Sequence, residues 1–243
     1  MSVWGKILGG AAGFALGGPI GALIGALAGH AVDKMKESTG PGASDATKQI
    51  AFTIGVIVLG AKMAKADGVV TKDEIAAFKR IFQVPPDEAR NVGRIFNQAR
   101  RDARGFEPYA KQLGRMFKNN PAVLEELLGA LFHIAKADGE IHPDELAYLA
   151  GVARIFGFDD AHFSRVKAEY TGPDAADPYQ ILGIGRDADD AAVKAAYRTL
   201  IRENHPDKLT AEGLPEEFIA LANQKMAAIN AAYDRIKKER GLT

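Results

Sequence analysis

The sequence predicts an all-helical chain with an N-terminal transmembrane helix, a multi-helix bundle and a C-terminal helical hairpin. Three observations support this fold class. The stretch from Ile7 to Gly29 contains no charged residue, and apolar residues recur with helical spacing from about Lys48 onwards. No segment shows the sustained alternation of apolar and polar residues that is typical of half-buried strands. With 243 residues, the chain has room for two ordinary domains besides an anchor.

Composition and charge exclude several classes of function. Lysine and arginine total 31, as do aspartate and glutamate, so the formal net charge is zero and no overall field favours nucleic acid as a partner. The apolar fraction of 47% is ordinary for a folded chain. The chain has no cysteine, which excludes disulfides, thiolate metal sites and thiol catalysis.

Residues 1–32 are predicted to form a membrane-spanning helix. The 23 uncharged residues at 7–29 would make a helix of roughly 35 Å, longer than the ~30 Å hydrocarbon core of a bilayer. Pro19 is expected to kink this helix. A cleavable signal peptide is one alternative, although its apolar core would be unusually long. A membrane hairpin that bends at the Gly-Gly-Pro sequence of residues 17–19 is another, with two short limbs.

Glycine occupies every fourth position of this segment from Gly5 to Gly29. In water each interior glycine destabilises a helix by about 1 kcal/mol, whereas in lipid small residues let two helices approach closely. The spacing therefore predicts that the segment pairs with a second copy of the chain, and the alternative is that it reflects only the glycine content of membrane helices. The predicted contact residues are Gly9, Gly13, Gly17, Gly21 and Gly25.

Two polar stretches divide the rest of the chain. Residues 33–47 have a Gly-Pro-Gly centre and are predicted to be a linker, as are residues 171–176. Between them, residues 48–170 show helical periodicity throughout. The strongly apolar stretch before Lys62 is predicted to be a buried core helix, because it is too short to span a membrane. Residues 177–243 form the third part.

The middle part contains an internal repeat. "AKADGVVTKDEI" at residues 64–75 and "AKADGEIHPDEL" at residues 135–146 match at an offset of 71 residues. Each copy is predicted to end one helix, turn through Asp-Gly and start another. Its acidic residues are of the type that a hard divalent cation prefers, and the alternative is that they cap the new helix. The candidate metal ligands are Asp67, Asp73, Glu74, Asp138, Asp144 and Glu145.

The repeated K-A-D-G-x-[VI]-x-x-D-E-[IL] motif resembles the tellurite-resistance TerB-like family. The resemblance implies an all-helical domain of about 120 residues. Members of that family have been associated with divalent metals, which makes such a metal the one cofactor that the sequence suggests. No other cofactor is expected.

The third part is predicted to be a pair of antiparallel helices. The first is capped by Asp189 and runs to about Glu203, and the second runs from about Pro215 to Lys238. Their apolar faces are expected to meet through Val193, Tyr197, Leu200, Phe218, Ala222, Met226, Ile229, Tyr233 and Ile236.

A basic stripe and a rigid loop lie at one end of this pair. The stripe consists of Lys194, Arg198 and Arg202, which are four residues apart on one helical face. The loop holds His-Pro-Asp at residues 205–207, where the proline fixes φ. Such a stripe beside a rigid loop favours docking of an acidic partner, and a solvated helix face is the alternative.

These features resemble the J-domain family. The Tyr179-x-x-Leu182-Gly183 opening, the His205-Pro206-Asp207-Lys208 loop and the Ile229-Asn230-x-Ala232-Tyr233 segment follow one another in the family's order. The resemblance implies docking on a DnaK-type chaperone and stimulation of its ATPase, with no hydrolysis by the J-domain itself. The residues implied in chaperone binding are His205, Pro206, Asp207, Lys194, Arg198, Arg202 and Tyr197.

The order of the three parts, and the beginning "WGKILGG…GHAVDKMK", resemble the DjlA family. That resemblance implies a single-pass protein of the bacterial inner membrane that dimerises through its membrane helix, acts on unidentified clients and takes part in stress responses. A J-domain needs an ATP-driven partner, so its domains are expected in the cytoplasm and a signal peptide is excluded.

Two rival functions follow from the same sequence. In the first, the chain is a metal- or stress-sensing protein whose TerB-like domain carries the function and whose J-domain only recruits the chaperone. In the second, it is a hydrolase, but no nucleophile or cofactor motif accompanies His205. The sequence therefore predicts no enzyme.

Overall fold

The computed structural model describes residues 17–28, 45–66, 76, 78–79, 84–86, 88–102, 104–137, 139–171 and 177–242. Its helices are α1 (Gly18–Ala28), α2 (Asp45–Ala66), α3 (Ala89–Arg101), α4 (Glu107–Met116), α5 (Pro121–Ala135), α6 (Pro143–Phe156), α7 (Asp160–Thr171), α8 (Pro178–Ile181), α9 (Asp190–Glu203), α10 (Pro206–Ala211) and α11 (Ile219–Arg240), with a 3₁₀ turn at Glu216–Phe218. No strand occurs among these residues, so the predicted all-helical class is confirmed.

Helix α2 is the centre of the middle domain. Every residue from Ile50 to Ala64 is buried, and α3, α4, α5 and α6 pack around it. A helix that is apolar on all sides lies either in a protein core or in a membrane. Over Asp45–Ala64, α2 is long and apolar enough to cross a membrane, and it is the one such helix in the described part of the chain, yet 78% of that window is buried inside the protein.

The predicted core helix is therefore confirmed, but it is not too short to span a membrane as predicted. The helix has 22 residues, because it begins at Asp45 inside the stretch predicted to be a linker. Burial by the surrounding helices, and not length, identifies α2 as a core helix.

The described end of the N-terminal segment, α1, packs against the middle domain. Ile20, Leu23 and Ile24 are buried, and α1 lies against α2, α3 and α4. Gln112 of α4 holds the beginning of this helix through two hydrogen bonds. Its Oε1 accepts the Ile20 N–H at 2.9 Å, and its Nε2 donates to the Gly17 carbonyl at 3.0 Å.

Gly17 and Gly18 interrupt the predicted membrane helix. Their φ angles of +54° and +58° are left-handed, so a right-handed helix does not run through them and α1 begins at Gly18. The prediction of one continuous helix with a kink at Pro19 is wrong at this point. The break coincides with the bend that the hairpin alternative requires.

The glycines predicted to pair with a second chain differ in their surroundings. Gly21 is buried, Gly17 is exposed and Gly25 is half-buried, whereas Gly9 and Gly13 lie outside the described residues. Pairing through this segment stays a prediction.

The C-terminal helices have a small core of their own and also contribute to the core of the middle domain. Tyr179, Leu182, Val193 and Ile229 pack with other residues of α8, α9 and α11 in a small core, which Ala168 of α7 also joins. Helix α10, the turn after it and the beginning of α11 belong to the core of the middle domain, through Leu209, Leu214, Phe218, Leu221 and Ala222. The linker predicted at 171–176 separates the two in sequence, and Thr171 is the last residue of α7.

Substitutions at two glycines test the packing around α2. A Cβ at Gly55 would lie 2.7 Å from the Leu113 side chain, whereas one at Gly93 of α3 would have no neighbour within 4 Å. Gly55→Val is expected to lower the free energy of unfolding by about 1–3 kcal/mol, because it overfills the core. Gly93→Ala is the control and should raise it by up to about 1 kcal/mol. Denaturant unfolding measures both, and a Gly55→Val variant as stable as the parent would contradict the packing.

Candidate functional site

The His-Pro-Asp segment lies where α9 ends and α10 begins. Asp189 is the N-cap of α9 and its carboxylate accepts the Ala192 N–H at 2.7 Å, so the predicted cap is confirmed. The helix ends at Glu203, and the next N–H, of Asn204, donates to the Leu200 carbonyl at 2.9 Å. Residues 205–207 therefore follow directly from a capped helix.

Residues 205–207 begin a helix and are not a loop. His205 is the N-cap of α10 and Pro206 is its first residue, a position where the missing proline N–H has no consequence. The Nδ1 atom of His205 accepts the Asp207 N–H at 3.2 Å. The prediction of a loop at residues 205–207 is therefore wrong, and a helical turn as well as the proline ring fixes the backbone of the motif.

The polar groups of the motif face solvent. The side chain of His205 is 51% exposed and that of Asp207 is 93% exposed. Because Nδ1 of His205 accepts a hydrogen bond, a neutral ring carries its proton on Nε2. The motif thus offers a ring N–H as a donor and a carboxylate as an acceptor to a partner.

The basic stripe is intact and exposed. Lys194, Arg198 and Arg202 lie on α9, and all three side chains are exposed. None of them forms an ion pair with another residue in the described ranges. The stripe therefore presents uncompensated positive charge beside the His-Pro-Asp segment.

Tyr197 joins α9 to α11. Its ring stacks on that of Tyr233, with centroids 3.9 Å apart and planes inclined by 7°, and its hydroxyl donates to Asn230 Oδ1 at 2.9 Å. These contacts give Tyr197 a structural role in holding the two helices together. Its direct contact with a chaperone stays a prediction.

A buried ionic cluster joins α11 to the middle domain. Lys225 of α11 is 3% exposed and pairs with Glu125 of α5, and its Nζ lies 3.2 Å from Oε1 of Glu126. Arg165 of α7 also contacts Glu125 and pairs with Glu169 at 2.8 Å. His162 Nε2 lies 2.6 Å from Glu125 Oε2 at the edge of the cluster, so Glu125 contacts three basic groups.

The carboxyl groups of this cluster differ in their pKa. Burial raises the pKa of Glu169 to about 7. Burial also raises the pKa of Glu126, although the ammonium of Lys225 opposes that shift. Burial opposes the charged form of Glu125 as well, but Lys225 and Arg165 outweigh it and hold the pKa of Glu125 well below its usual range. The cluster thus has one firmly ionised acid and two acids that bind protons more readily.

The second copy of the acidic repeat caps a helix. Glu145 Oε2 accepts the His142 N–H at 2.9 Å, and His142 Nδ1 accepts the Asp144 N–H at 3.3 Å, which together form a capping box at the start of α6. Asp67, Asp73, Glu74 and Asp138 lie outside the described residues. Within the described ranges, no group of three or more His, Asp and Glu side chains is placed to hold a metal ion. A divalent metal therefore stays a prediction.

The antiparallel helices with the capped His-Pro-Asp segment between them define a J-domain protein, and comparison with known families agrees. Residues 177–240 match the DnaJ domain, residues 53–168 match "Tellurite resistance protein TerB", and residues 1–49 match "Co-chaperone DjlA transmembrane domain". The chain belongs to the DjlA family of membrane-anchored J-domain co-chaperones.

Full-length relatives support this assignment. The chain is 37% identical to "Co-chaperone protein DjlA" of Shewanella oneidensis, with both chains covered completely. It is 33% identical to the protein of that name from Aliivibrio fischeri, again over 100% of both chains. It is 31% identical to the one from Photobacterium profundum, over 98% of this chain and 99% of the relative. No solved structure matches the chain.

Three residues of the site were not identified from the sequence. Asn204 is 2% exposed and its Nδ2 donates to the Leu200 carbonyl at 2.9 Å, so it anchors the motif from inside. Arg240 donates to the Tyr179 hydroxyl at 2.9 Å and to the Ala188 carbonyl at 2.7 Å, which closes the far end of the hairpin. Lys225 is the third. Each is a polar residue whose type and spacing resemble those of surface residues.

The pH dependence of stability tests the ionic cluster. The pKa of Glu169 in the folded chain, about 7, lies above its ordinary value of 4.5, so its contribution to stability is complete below about pH 4.5 and is lost as the pH rises through 7. The groups that face it are Arg165, Lys225, Glu125 and Glu126. Glu169→Gln removes this titration. Between pH 5 and pH 8, the free energy of unfolding of the parent should therefore fall by about 1–3 kcal/mol relative to that of the variant.

Glu239→Gln, at an exposed position of α11, is the matched control and should follow the parent at every pH. Parallel pH profiles for the parent and Glu169→Gln would contradict the raised pKa.

Proposed function

We propose that this chain docks on a DnaK-type chaperone through the His-Pro-Asp segment and the basic stripe of α9, and that docking stimulates the ATPase of that chaperone. The observation that carries the proposal is the motif itself, which is exposed, capped and adjacent to three cations that form no ion pair with the described residues. In this function the chain is not an enzyme, because it supplies no group to the hydrolysis of ATP.

The basic stripe and the motif have different tasks in docking. Lys194, Arg198 and Arg202 attract an acidic surface, which raises the association rate and sets the register of the complex. His205 and Asp207 then offer a donor and an acceptor with fixed positions. Since the backbone of the motif is already ordered by the α10 cap, docking loses less conformational entropy there than it would with a mobile loop.

The anchor determines where this activity takes place. The match of residues 1–49 to a transmembrane domain supports membrane attachment. We propose the bacterial inner membrane, with the TerB-like domain and the J-domain in the cytoplasm, because a DnaK-type partner requires ATP. The charges agree, since Lys34 and Lys36 follow the apolar segment and Lys6 alone precedes it. Clients at the membrane would be delivered to a chaperone that is recruited there.

ATPase measurements test the proposed docking. The full chain in lipid vesicles should stimulate ATP turnover by a DnaK-type chaperone, and His205→Gln should reduce that stimulation by about tenfold or more, equivalent to about 1.4 kcal/mol of interaction free energy. Lys238→Gln, a change at an exposed cation of α11, is the matched control and should behave as the parent does. Equal stimulation by the parent and His205→Gln would refute the proposal.

Self-association of the anchor is tested separately. Gly9→Leu combined with Gly13→Leu should reduce energy transfer between labelled copies of the full chain in vesicles, because leucine keeps the two backbones apart. Insertion into the vesicles should be retained, since leucine is more apolar than glycine. Ala11→Leu combined with Ala15→Leu, off the glycine spacing, is the control. Unchanged energy transfer in the glycine variant would show that these glycines do not mediate pairing.

A further inference from the structure

The middle domain covers one side of α10 and the beginning of α11. Leu209, Leu214 and Phe218 are completely buried in the core of the middle domain. The Phe218 ring packs edge-on against Phe52 of α2, with centroids 4.6 Å apart, and Phe52 packs in the same way against Phe117 at 6.4 Å. The contact thus consists of interlocking side chains from both parts of the chain.

The turn between α10 and α11 approaches the middle domain closely. A Cβ at Gly213 would lie 2.8 Å from the Cβ of Lys48 and 3.4 Å from the ring of Phe117. Only a glycine lets the turn lie so near α2. This close fit, together with the buried Leu209 and Leu214 on either side, leaves α10 a single position on the middle domain.

The ionic cluster fixes the same interface further along α11. A lysine ammonium out of water is unfavourable unless acids surround it. Here Glu125 and Glu126 of α5 supply those acids, and Glu169 lies nearby on α7. A shift of α11 along α5 would leave Lys225 unpaired. The cluster therefore sets the register of α11.

The opposite side of the J-domain is open. Asp207 is 93% exposed, and Lys194, Arg198 and Arg202 are exposed along α9. The middle domain therefore contacts the inner side of α10 through Leu209 and leaves the docking side uncovered. Contact with the middle domain does not compete with contact to a partner at this motif.

We propose that the face of the TerB-like domain formed by α2, α4, α5 and α7 is a binding surface for the J-domain of the same chain, and that it holds α10 in the orientation in which the His-Pro-Asp segment docks. We call this face the J-domain seat. Lys225 is a positioning residue, because it acts through the orientation of α11 and does not touch the chaperone. The functional part of this inference rests on the proposed docking of the chaperone.

Lys225→Met tests the J-domain seat. Methionine keeps the apolar stem of the side chain but leaves Glu125 and Glu126 without their ammonium partner. In a chain without native cysteines, spin labels at Lys111→Cys on α4 and Glu239→Cys on α11 report the distance between the two parts. The parent should give one narrow distance distribution, and Lys225→Met should broaden it. Lys238→Met is the matched control and should leave it narrow.

The ATPase of a DnaK-type chaperone supplies the second measurement. If Lys225→Met reduces the fraction of correctly oriented J-domain to between about a third and a tenth, the co-chaperone concentration for half-maximal stimulation should rise about threefold to tenfold. Maximal stimulation should be unchanged, because the motif itself is intact. A lower half-maximal concentration would mean that the seat restrains docking, and this would overturn the proposal.

A second variant covers the case in which Lys225→Met does not fold. Phe218→Leu weakens the contact with Phe52 without leaving a buried charge unpaired, and it should produce the same broadening and the same rise in half-maximal concentration. Parent-like distances and ATPase curves in a folded variant would refute the seat. If the distances respond as expected but the chain never stimulates the ATPase, the J-domain seat is supported and the proposed function is refuted.

Discussion

The burial of one lysine ammonium constrains much of this structure. The ammonium of Lys225 is buried, and the acids of α5 and α7 offset the free-energy cost of removing that charge from water. Helix α11 therefore has one register on the middle domain. That register places Phe218 against Phe52 and brings the turn at Gly213 onto α2. The position of α10, and therefore of the His-Pro-Asp segment that begins it, follows from these contacts.

The same packing connects the anchor to the motif. Helix α1, the described end of the membrane segment, is held by Gln112 of α4, and α4 belongs to the core that contains Leu209 and Phe218. The TerB-like domain is therefore more than a spacer between a membrane and a J-domain. In the proposed function, it sets the direction in which the docking side of α9 and α10 faces.

The sequence predicts well those features that depend on local chemistry. Asp189 caps α9, and Pro143 and Glu145 start α6, and each can be identified from a few neighbouring residues. The J-domain motifs are of this kind as well. The sequence also predicts a buried α2, because its apolar residues leave no polar face.

Features that depend on distant contacts are not predictable in the same way. Lys225 has the residue type and spacing of an exposed helix cation, and nothing near it in sequence indicates the acids at Glu125 and Glu126, about a hundred residues earlier. The shared core across residues 171–176 and the break at Gly17 have the same cause, since tertiary contacts decide them.

Hydrogen exchange of the full chain tests the central claim, that the middle domain fixes α10. A peptide spanning α10 should be protected as strongly as peptides of α2, because both belong to one core. Exchange in α10 that is orders of magnitude faster than in α2 would contradict it.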